Sequence, residues 1–104
     1  MNPVEIDKHI FYDPEQKKLI CDHKTIELTP YQTKILDLLV KADGHVVLRK
    51  DLMIALWQTE QYIGAGTLTT HISRLRQKLK KETGTPIICT AKGKGYYVPQ
   101  TVEK

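Results

Sequence analysis

The sequence predicts a single small α+β domain, with an N-terminal antiparallel sheet followed by three helices and a C-terminal β-hairpin. Three observations support this prediction. Short β-branched runs separated by turn residues occupy the first 28 positions, and apolar residues then recur at helical spacing. Two further strand-like runs, joined by a glycine-rich turn, close the chain. At 104 residues the chain is long enough for one modest core.

The first elements are three short strands, Ile10–Tyr12, Leu19–Cys21 and Thr25–Leu28. Asp13-Pro14 and Asp22-His23-Lys24 separate them with residues that favour turns. A small antiparallel meander is therefore expected. The segments 1–7 and 100–104 lack comparable patterns and are expected to be flexible ends of the single 1–104 domain.

Two helices follow the meander. Thr29-Pro30 is a strong helix start, because a threonine can cap the helix and proline is favoured at the first helical position. Apolar residues continue at helical spacing until Gly44, which indicates the end of the first helix. A link at His45–Leu48 leads to a second helix at about Arg49–Trp57. Residues Gln58–Gly66 show no periodicity and are predicted to form a loop.

The third helix, predicted over Thr67–Lys81, carries the clearest functional signal. Its apolar residues recur at spacings of four, three and four, which places them in one narrow stripe: Leu68, Ile72, Leu75 and Leu79. All of its charges are positive: Arg74, Arg76, Lys78, Lys80 and Lys81. A helix that packs by one apolar edge and exposes a basic, hydroxyl-rich face is suited to an anionic partner such as duplex DNA.

The hairpin consists of strands predicted at Ile87–Thr90 and Tyr96–Val98, joined by the tip Ala91–Gly95. Three helices followed by a hairpin give the order of a winged helix-turn-helix, in which the third helix enters the major groove of DNA. The hairpin, or wing, then reaches the phosphate backbone or the neighbouring minor groove.

The distribution of charge agrees with this order. The chain carries 16 basic and 12 acidic residues, for a net charge of +4. Residues 1–66 carry 8 basic and 10 acidic side chains, whereas residues 67–104 carry 8 basic and 2 acidic ones. The anion-binding half is therefore the half that contains the third helix and the wing.

A helical wheel divides the third helix into a base-facing zone and two flanks. With the apolar stripe in the core, the side chains that point toward the groove floor are Thr70, Ser73, Arg74 and Gln77. One flank carries Thr69, Arg76 and Lys80, and the other carries His71 and Lys78; flanking side chains meet the phosphate walls. Arg74 is the best candidate for a bidentate contact to guanine, while Gln77 is suited to adenine or the backbone. The alternatives are a solvated basic face without a partner and, for His71, a histidine without a functional role.

At the wing tip, Lys92 and Lys94 flank Gly93 and are expected to contact phosphates or the minor groove. The alternative is an ordinary solvent-exposed turn. The Gly93-Lys94-Gly95 string lacks the spacing of a Walker A motif and joins two strands, which argues against a nucleotide-binding loop.

Other classes of function are disfavoured. The sequence offers no nucleophile with a base and an orienting group, so no enzyme activity is predicted. The histidines show no ligand spacing with Cys21 or Cys89, so no metal or other cofactor is expected. Buried free thiols are the preferred interpretation of the two cysteines, although a disulfide is not excluded. No run approaches the length of a membrane span, and a cytoplasmic location is expected.

Four segments together resemble the effector domain of OmpR/PhoB-type two-component response regulators. They are LTPYQTKILDLL at Leu28–Leu39, ALW at Ala55–Trp57, THISRLRQKL at Thr70–Leu79 and TAKGKGYYV at Thr90–Val98. The resemblance implies a transcription factor with an N-terminal four-stranded sheet before its winged helix. The family's receiver domain is absent, so the chain is expected to be the C-terminal half of a longer protein.

The resemblance also implies contact residues and partners. Family contacts to DNA fall here on Thr67, Thr69, His71, Arg74 and Arg76 in the third helix and on Thr90 and Lys92 in the wing. The implied partners are promoter DNA with direct repeats, a second copy in a head-to-tail dimer on DNA, RNA polymerase at the Gln58–Ala65 loop, an upstream receiver domain and a sensor histidine kinase. No membrane partner is implied.

This sequence departs from the family at three positions. Gly66 and Ser73 stand where many members have arginine, and Thr70 occupies a position that is often apolar. The target sequence of a relative therefore does not transfer, and fewer charged contacts are expected here. Two alternatives stay open: a membrane-anchored one-component regulator with the same fold, and a winged helix that binds protein. The second predicts an apolar or mixed-charge third helix, which this sequence lacks.

Overall fold

The computed structural model describes residues 4–7, 9–59 and 65–99, and these residues begin with an antiparallel sheet. Its strands run in the order β1-β2-β3-β4. They are β1 Val4–Asp7, β2 Ile10–Asp13, β3 Lys18–Cys21 and β4 Lys24–Ile26. The predicted meander is confirmed, with an additional strand at its edge.

Three helices follow within the described residues: α1 Pro30–Lys41, α2 Arg49–Thr59 and α3 Ala65–Thr83. The predicted start of α1 is confirmed in detail. The Thr29 hydroxyl accepts a hydrogen bond from the Gln32 N–H at 3.2 Å, and the Gln32 side chain accepts one from the Thr29 N–H at 2.9 Å. This capping box, with Pro30 in the first turn, satisfies donors that the helix itself leaves free.

The C-terminal sheet contains β5 Val47–Leu48, β6 Cys89–Ala91 and β7 Gly95–Tyr97 in the order β5-β7-β6. The predicted hairpin corresponds to β6 and β7, which pair antiparallel. Strand β5 lies in the segment between α1 and α2, and pairs Val47 with Tyr96 and Leu48 with Gly95. The wing is therefore anchored directly to the helix-turn-helix.

The structure corrects several predicted bounds. Val4–Asp7, predicted as part of a flexible end, forms β1. Its backbone pairs with β2, with Val4 opposite Tyr12 and Asp7 opposite Ile10. The link His45–Leu48 contains β5. Both ends of the loop predicted over 58–66 are helical, since α2 continues to Thr59 and α3 begins at Ala65. Residues 1–3, 60–64 and 100–104, which include the other predicted flexible segments, lie outside the described residues.

One continuous core joins both sheets and all three helices of the described chain. The four predicted stripe residues of α3, Leu68, Ile72, Leu75 and Leu79, are at most 2% exposed. They pack with fully buried leucines of the other helices, Leu36 and Leu39 of α1 and Leu52 and Leu56 of α2. The apolar edge of α3 is therefore committed to the core, which leaves its other faces to the surface.

Asp37 of α1 is a charged residue inside this core, and its side chain joins the N-terminal sheet to the helices. It is 4% exposed and accepts a hydrogen bond from the Tyr12 hydroxyl at 2.7 Å. Lys17 and Lys41 lie 3.3 and 3.1 Å from its other oxygen. Burial by itself would raise the pKa of Asp37, but the bonds from Tyr12, Lys41 and Lys17 outweigh burial and lower the pKa below its ordinary value.

This cluster makes the stability of the domain sensitive to acid. A carboxyl whose pKa is lower in the folded state stabilises the fold above its ordinary pKa of about 3.9, and that stabilisation is lost as the pH falls through the lower, folded-state pKa. Replacing Asp37 with asparagine is expected to reduce the free energy of unfolding by about 1–2 kcal/mol at pH 7. The difference from the wild type should shrink below about pH 4 in urea unfolding curves.

The matched control is Asp43→Asn, which removes a carboxylate from an exposed position with a left-handed backbone that asparagine tolerates. This variant should keep the acid dependence of the wild type. A constant difference between Asp37→Asn and the wild type from pH 7 to pH 2 would contradict the assignment.

Candidate nucleic-acid interface

The exposed side of α3 faces away from its buried stripe. Thr70, Ser73, Arg74 and Gln77, the side chains predicted to point toward a groove, are all exposed. They lie about half a turn from Leu68, Ile72, Leu75 and Leu79, because 3.6 residues complete each turn. The division of α3 into a core-facing and an outward-facing zone is therefore as the wheel predicts.

One flank of α3 is bonded to the wing. The guanidinium of Arg76 donates a hydrogen bond to the Thr90 hydroxyl at 2.9 Å. Both residues are predicted DNA contacts, and they lie in different elements 14 positions apart. The bond holds β6 beside the middle of α3, so the exposed face of the helix and the wing form one surface.

The opposite flank of α3 faces α1. The imidazole of His71 packs against the Tyr31 ring, with centroids 4.6 Å apart and planes inclined by 48°. His71 and Lys78 are both half-buried. The contact with Tyr31 restricts His71 at the edge of the outward zone, and it gives the histidine a packing role in addition to its predicted contact with DNA.

The wing tip is a tight turn that carries two lysines. Lys94 donates its backbone N–H to the Ala91 carbonyl at 2.9 Å, and Gly93 between them has a φ of +75°. That left-handed conformation is readily available to glycine. Lys92 and Lys94 are both exposed. The turn therefore presents two cations close to Thr90, the hairpin residue that is bonded to α3.

Arg49 is a residue of this surface that the sequence analysis treated only as the start of a helix. Its guanidinium donates to the Thr69 hydroxyl and to the Tyr96 hydroxyl, each at 3.2 Å. Its position in the sequence could have indicated a role, since the helix dipole disfavours a cation in the first turn of a helix. Such a placement indicates a partner elsewhere in the chain.

All predicted contact residues are accessible, although their contacts with DNA stay predictions. The exposed residues are Thr67, Thr69, Thr70, Ser73, Arg74, Gln77, Thr90, Lys92 and Lys94, and the half-buried ones are His71, Arg76 and Lys78. The surface is continuous, basic and rich in hydroxyl groups. It has the composition expected for contacts with a phosphate backbone and with base edges.

The described residues hold no arrangement typical of a metal site or a membrane span. Within the described ranges, no group of three or more histidine, cysteine or acidic side chains is arranged to hold a metal ion. Cys21 is a buried free thiol, as predicted, while Cys89 is free and half-buried. No described helix is both long and apolar enough to span a bilayer.

Comparison of the sequence with protein families gives a match over residues 23–98 to the family described as "Transcriptional regulatory protein, C terminal". The response regulator protein GraR of Staphylococcus epidermidis is 39% identical over 75 residues, which cover 72% of this chain and 34% of GraR. The sensory transduction protein BceR of Bacillus subtilis is 34% identical over 84 residues, covering 81% of this chain and 36% of BceR. The chain thus spans about a third of the length of these relatives.

Solved structures show the same architecture. The DNA-binding domain of CpxR from E. coli superposes with a TM-score of 0.75 at 28% identity, covering 98% of this chain and all of that domain. The DNA-binding domain of the response regulator AdeR, solved in complex with an intercistronic region, has a TM-score of 0.76 and covers 92% of this chain and 99% of that one. At 22% identity the likeness to AdeR concerns the fold. The predicted winged helix-turn-helix is confirmed.

Proposed function

The chain belongs to the family of C-terminal domains of transcriptional regulatory proteins, the DNA-binding effector domains of OmpR/PhoB-type response regulators, and we propose that it binds promoter DNA through α3 and the wing. Members of this family are regulators that bind DNA, not enzymes. The activity of the domain is thus to recognise a duplex sequence and so control transcription.

The observation that carries the proposal is the bond between Arg76 and Thr90. It joins the two basic parts of the chain, the outward face of α3 and the wing tip with Lys92 and Lys94. A helix placed in the major groove then brings the wing to the adjacent backbone without rearrangement. Pre-arranged partners lose less conformational freedom on binding, which favours affinity.

The proposed contacts divide by position on α3. Thr70, Ser73, Arg74 and Gln77 face the base edges, with Arg74 donating both arms of its guanidinium to a guanine. Side chains on the flanks and the wing contact phosphates, which fixes the register of the protein on the duplex. This second group contains Thr67, Thr69, His71, Arg76, Lys78, Thr90, Lys92 and Lys94.

The partners of the whole protein belong to the same proposal. The matched relatives are about three times as long as the matched segment, which leaves room for further domains, and the family description assigns the segment to the C terminus. We therefore propose a receiver domain upstream and a sensor histidine kinase that signals to it. Two copies bind direct repeats head to tail in the cytoplasm. RNA polymerase contacts the segment Gln58–Ala65, of which residues 60–64 lie outside the described structure.

Selection of bound sequences from random duplexes tests the proposed function. The selected sequences should converge on a motif that contains guanine in the major-groove contact region of Arg74. The wild-type protein should bind the selected duplex at least about a thousand times more tightly than a scrambled duplex of the same length and composition. Failure to enrich any motif, with equal affinity for selected and scrambled duplexes, would contradict sequence-specific binding.

The wing is expected to contribute affinity without specificity. Replacing Lys92 with alanine should weaken binding to selected and scrambled duplexes alike, because phosphates are the same in both. The slope of log K against log salt concentration should become shallower by about 0.9, which corresponds to one lost phosphate contact.

A charge-matched control for Lys92→Ala is Lys24→Ala, which removes a cation from an exposed position of β4 in the N-terminal sheet. This control should leave the salt slope unchanged. If Lys92→Ala behaved like Lys24→Ala, the wing tip would not contact the backbone.

A further inference from the structure

Arg49, the first residue of α2, contacts each part of the proposed DNA-binding surface. One guanidinium nitrogen donates to the Thr69 hydroxyl of α3 at 3.2 Å, and another donates to the Tyr96 hydroxyl of β7 at 3.2 Å. The guanidinium carbon lies 6.0 Å from the centre of the Tyr96 ring. The backbone N–H of Arg49 also donates to the Lys94 carbonyl in the wing turn at 3.2 Å. One residue thus joins α3, strand β7 and the turn at the tip of the wing.

The chemistry of arginine explains this arrangement. A guanidinium is planar and presents several N–H donors in a fixed fork, so it can bond two acceptors on different elements at a defined separation. An ammonium group at the same place is a point charge without this geometry. The position at the start of α2 is electrostatically unfavourable for a cation, since it meets the positive end of the helix dipole. The hydrogen bonds to Thr69 and Tyr96 offset that disadvantage.

The wing is also held by its buried side chains and by backbone pairing with β5. Strand β5 pairs with β7 through only two residue pairs, Val47–Tyr96 and Leu48–Gly95. About two turns further along the same flank of α3, Arg76 bonds Thr90 of β6. Without the Arg49 side chain, this edge of the wing would keep the β5–β7 ladder, the backbone bond to Lys94 and the buried side chains of Tyr96 and Val98, but it would lose its hydrogen-bonded link to Thr69 of α3. Loss of that link would let the wing vary its angle to α3 more widely.

We propose that Arg49 is a positioning residue for DNA binding: it holds α3 and the wing at the separation that lets both contact one duplex, and it does not itself bind a phosphate. This inference rests on the proposed function, because it assumes that α3 and the wing bind the same DNA. Loss of Arg49 would then increase the conformational freedom that binding must remove, without removing a contact to DNA.

Salt titration separates positioning from direct contact. Binding of the selected duplex is measured at several salt concentrations for the wild type, Arg49→Lys, Arg49→Gln and Tyr96→Phe. Arg49→Lys and Arg49→Gln should each raise Kd by about tenfold, since both lose the paired hydrogen bonds. Their salt slopes should equal that of the wild type, because no phosphate contact is lost.

Tyr96→Phe is the conservative test, since it removes one acceptor of Arg49 and leaves every charge in place. It should raise Kd by a smaller factor than Arg49→Lys, again with an unchanged salt slope. Adding Tyr96→Phe to Arg49→Lys should have little further effect, because the two changes remove the same bond. Circular dichroism and thermal unfolding confirm that each variant is folded, and Tyr96→Phe keeps the test available if Arg49→Gln unfolds.

Two results would overturn the inference. If Arg49→Lys bound like the wild type while Arg49→Gln lost about one unit of salt slope, Arg49 would be a direct phosphate contact. If all three variants bound like the wild type, Arg49 would have no role in binding. Both results require that the wild type binds the selected duplex, so they are distinct from failure of the proposed function, in which the wild type shows no specific binding.

Discussion

Replacing Arg74 with alanine is expected to raise Kd for the selected duplex by about 10-fold to 100-fold, since a bidentate contact to guanine contributes about 1–3 kcal/mol of discrimination. Arg74 is exposed on the face of α3 opposite its buried stripe, so it is the best-placed cation to reach the groove floor. Binding to a scrambled duplex should weaken by only about two- to threefold, the effect of one lost charge near phosphates. Competition titrations with both duplexes measure the two effects.

Lys81→Ala is the matched control for Arg74→Ala. Lys81 is an exposed cation of the same helix, located two turns closer to its C-terminal end. Its loss should weaken binding to selected and scrambled duplexes by the same small factor, which leaves the specificity ratio unchanged. If Arg74→Ala also left the specificity ratio unchanged, Arg74 would be a phosphate contact. Another residue of the base-facing zone would then have to make the main contact with the bases.

The second large effect is expected from Gly95→Ala, which should disrupt the junction between the wing and the helix-turn-helix. A Cβ atom at Gly95 would overlap the backbone carbonyl of Val47 in the neighbouring strand. Because the obstacle is backbone, no side-chain movement relieves the overlap, and the β5–β7 ladder has to open. We expect the free energy of unfolding to fall by about 3 kcal/mol. Binding to DNA should weaken as well, because the wing loses its anchor.

Gly93→Ala provides the control, since it adds the same methyl group to the same hairpin. A Cβ atom there meets open space, and only the left-handed backbone, with a φ of +75°, opposes the substitution. This costs about 1 kcal/mol. Urea unfolding of both variants should therefore show a clearly larger loss for Gly95→Ala. Equal losses would mean that the close approach of Val47 and Gly95 does not constrain the fold.

The helical part of this fold follows from local features of the sequence. The stripe of α3 and the Thr29-Pro30 start of α1 each depend on residues close together in the sequence, and both predictions are confirmed. Strand β5, which the sequence analysis missed, is different in kind. Val47–Leu48 has only two residues, and its pairing partner lies 47–49 positions away in β7. Neither its length nor its local composition distinguishes it from a loop.

The DNA-binding surface shows the same contrast: features set by neighbouring residues were predicted, and contacts between distant residues were not. The outward zone of α3 was predicted correctly because helical geometry alone determines which side chains oppose the buried stripe. The bonds that assemble the surface were not predictable in this way. Arg49 reaches Tyr96 across 47 positions, and Arg76 reaches Thr90 across 14. Such pairs depend on how the helices and the sheet pack together, and the periodicity of the sequence does not predict that packing.

These bonds also bear on the departures from the family pattern. From the family resemblance, Gly66 and Ser73 are expected to stand where many members have arginine, so we expect binding to depend more on Arg74, Arg76 and the wing. Within the domain, Arg76 is bonded to Thr90. A side chain held in one orientation loses less freedom on binding, which compensates in part for fewer cationic contacts.

Titration of the wild-type domain with the selected and scrambled duplexes over a range of salt concentrations tests the central claim most directly. If α3 and the wing form one DNA-binding surface, log K should fall linearly with log salt for both duplexes, with a slope that indicates several phosphate contacts. The selected duplex should remain the tighter ligand at every salt concentration. Salt-independent binding, or no binding to any duplex, would contradict the claim.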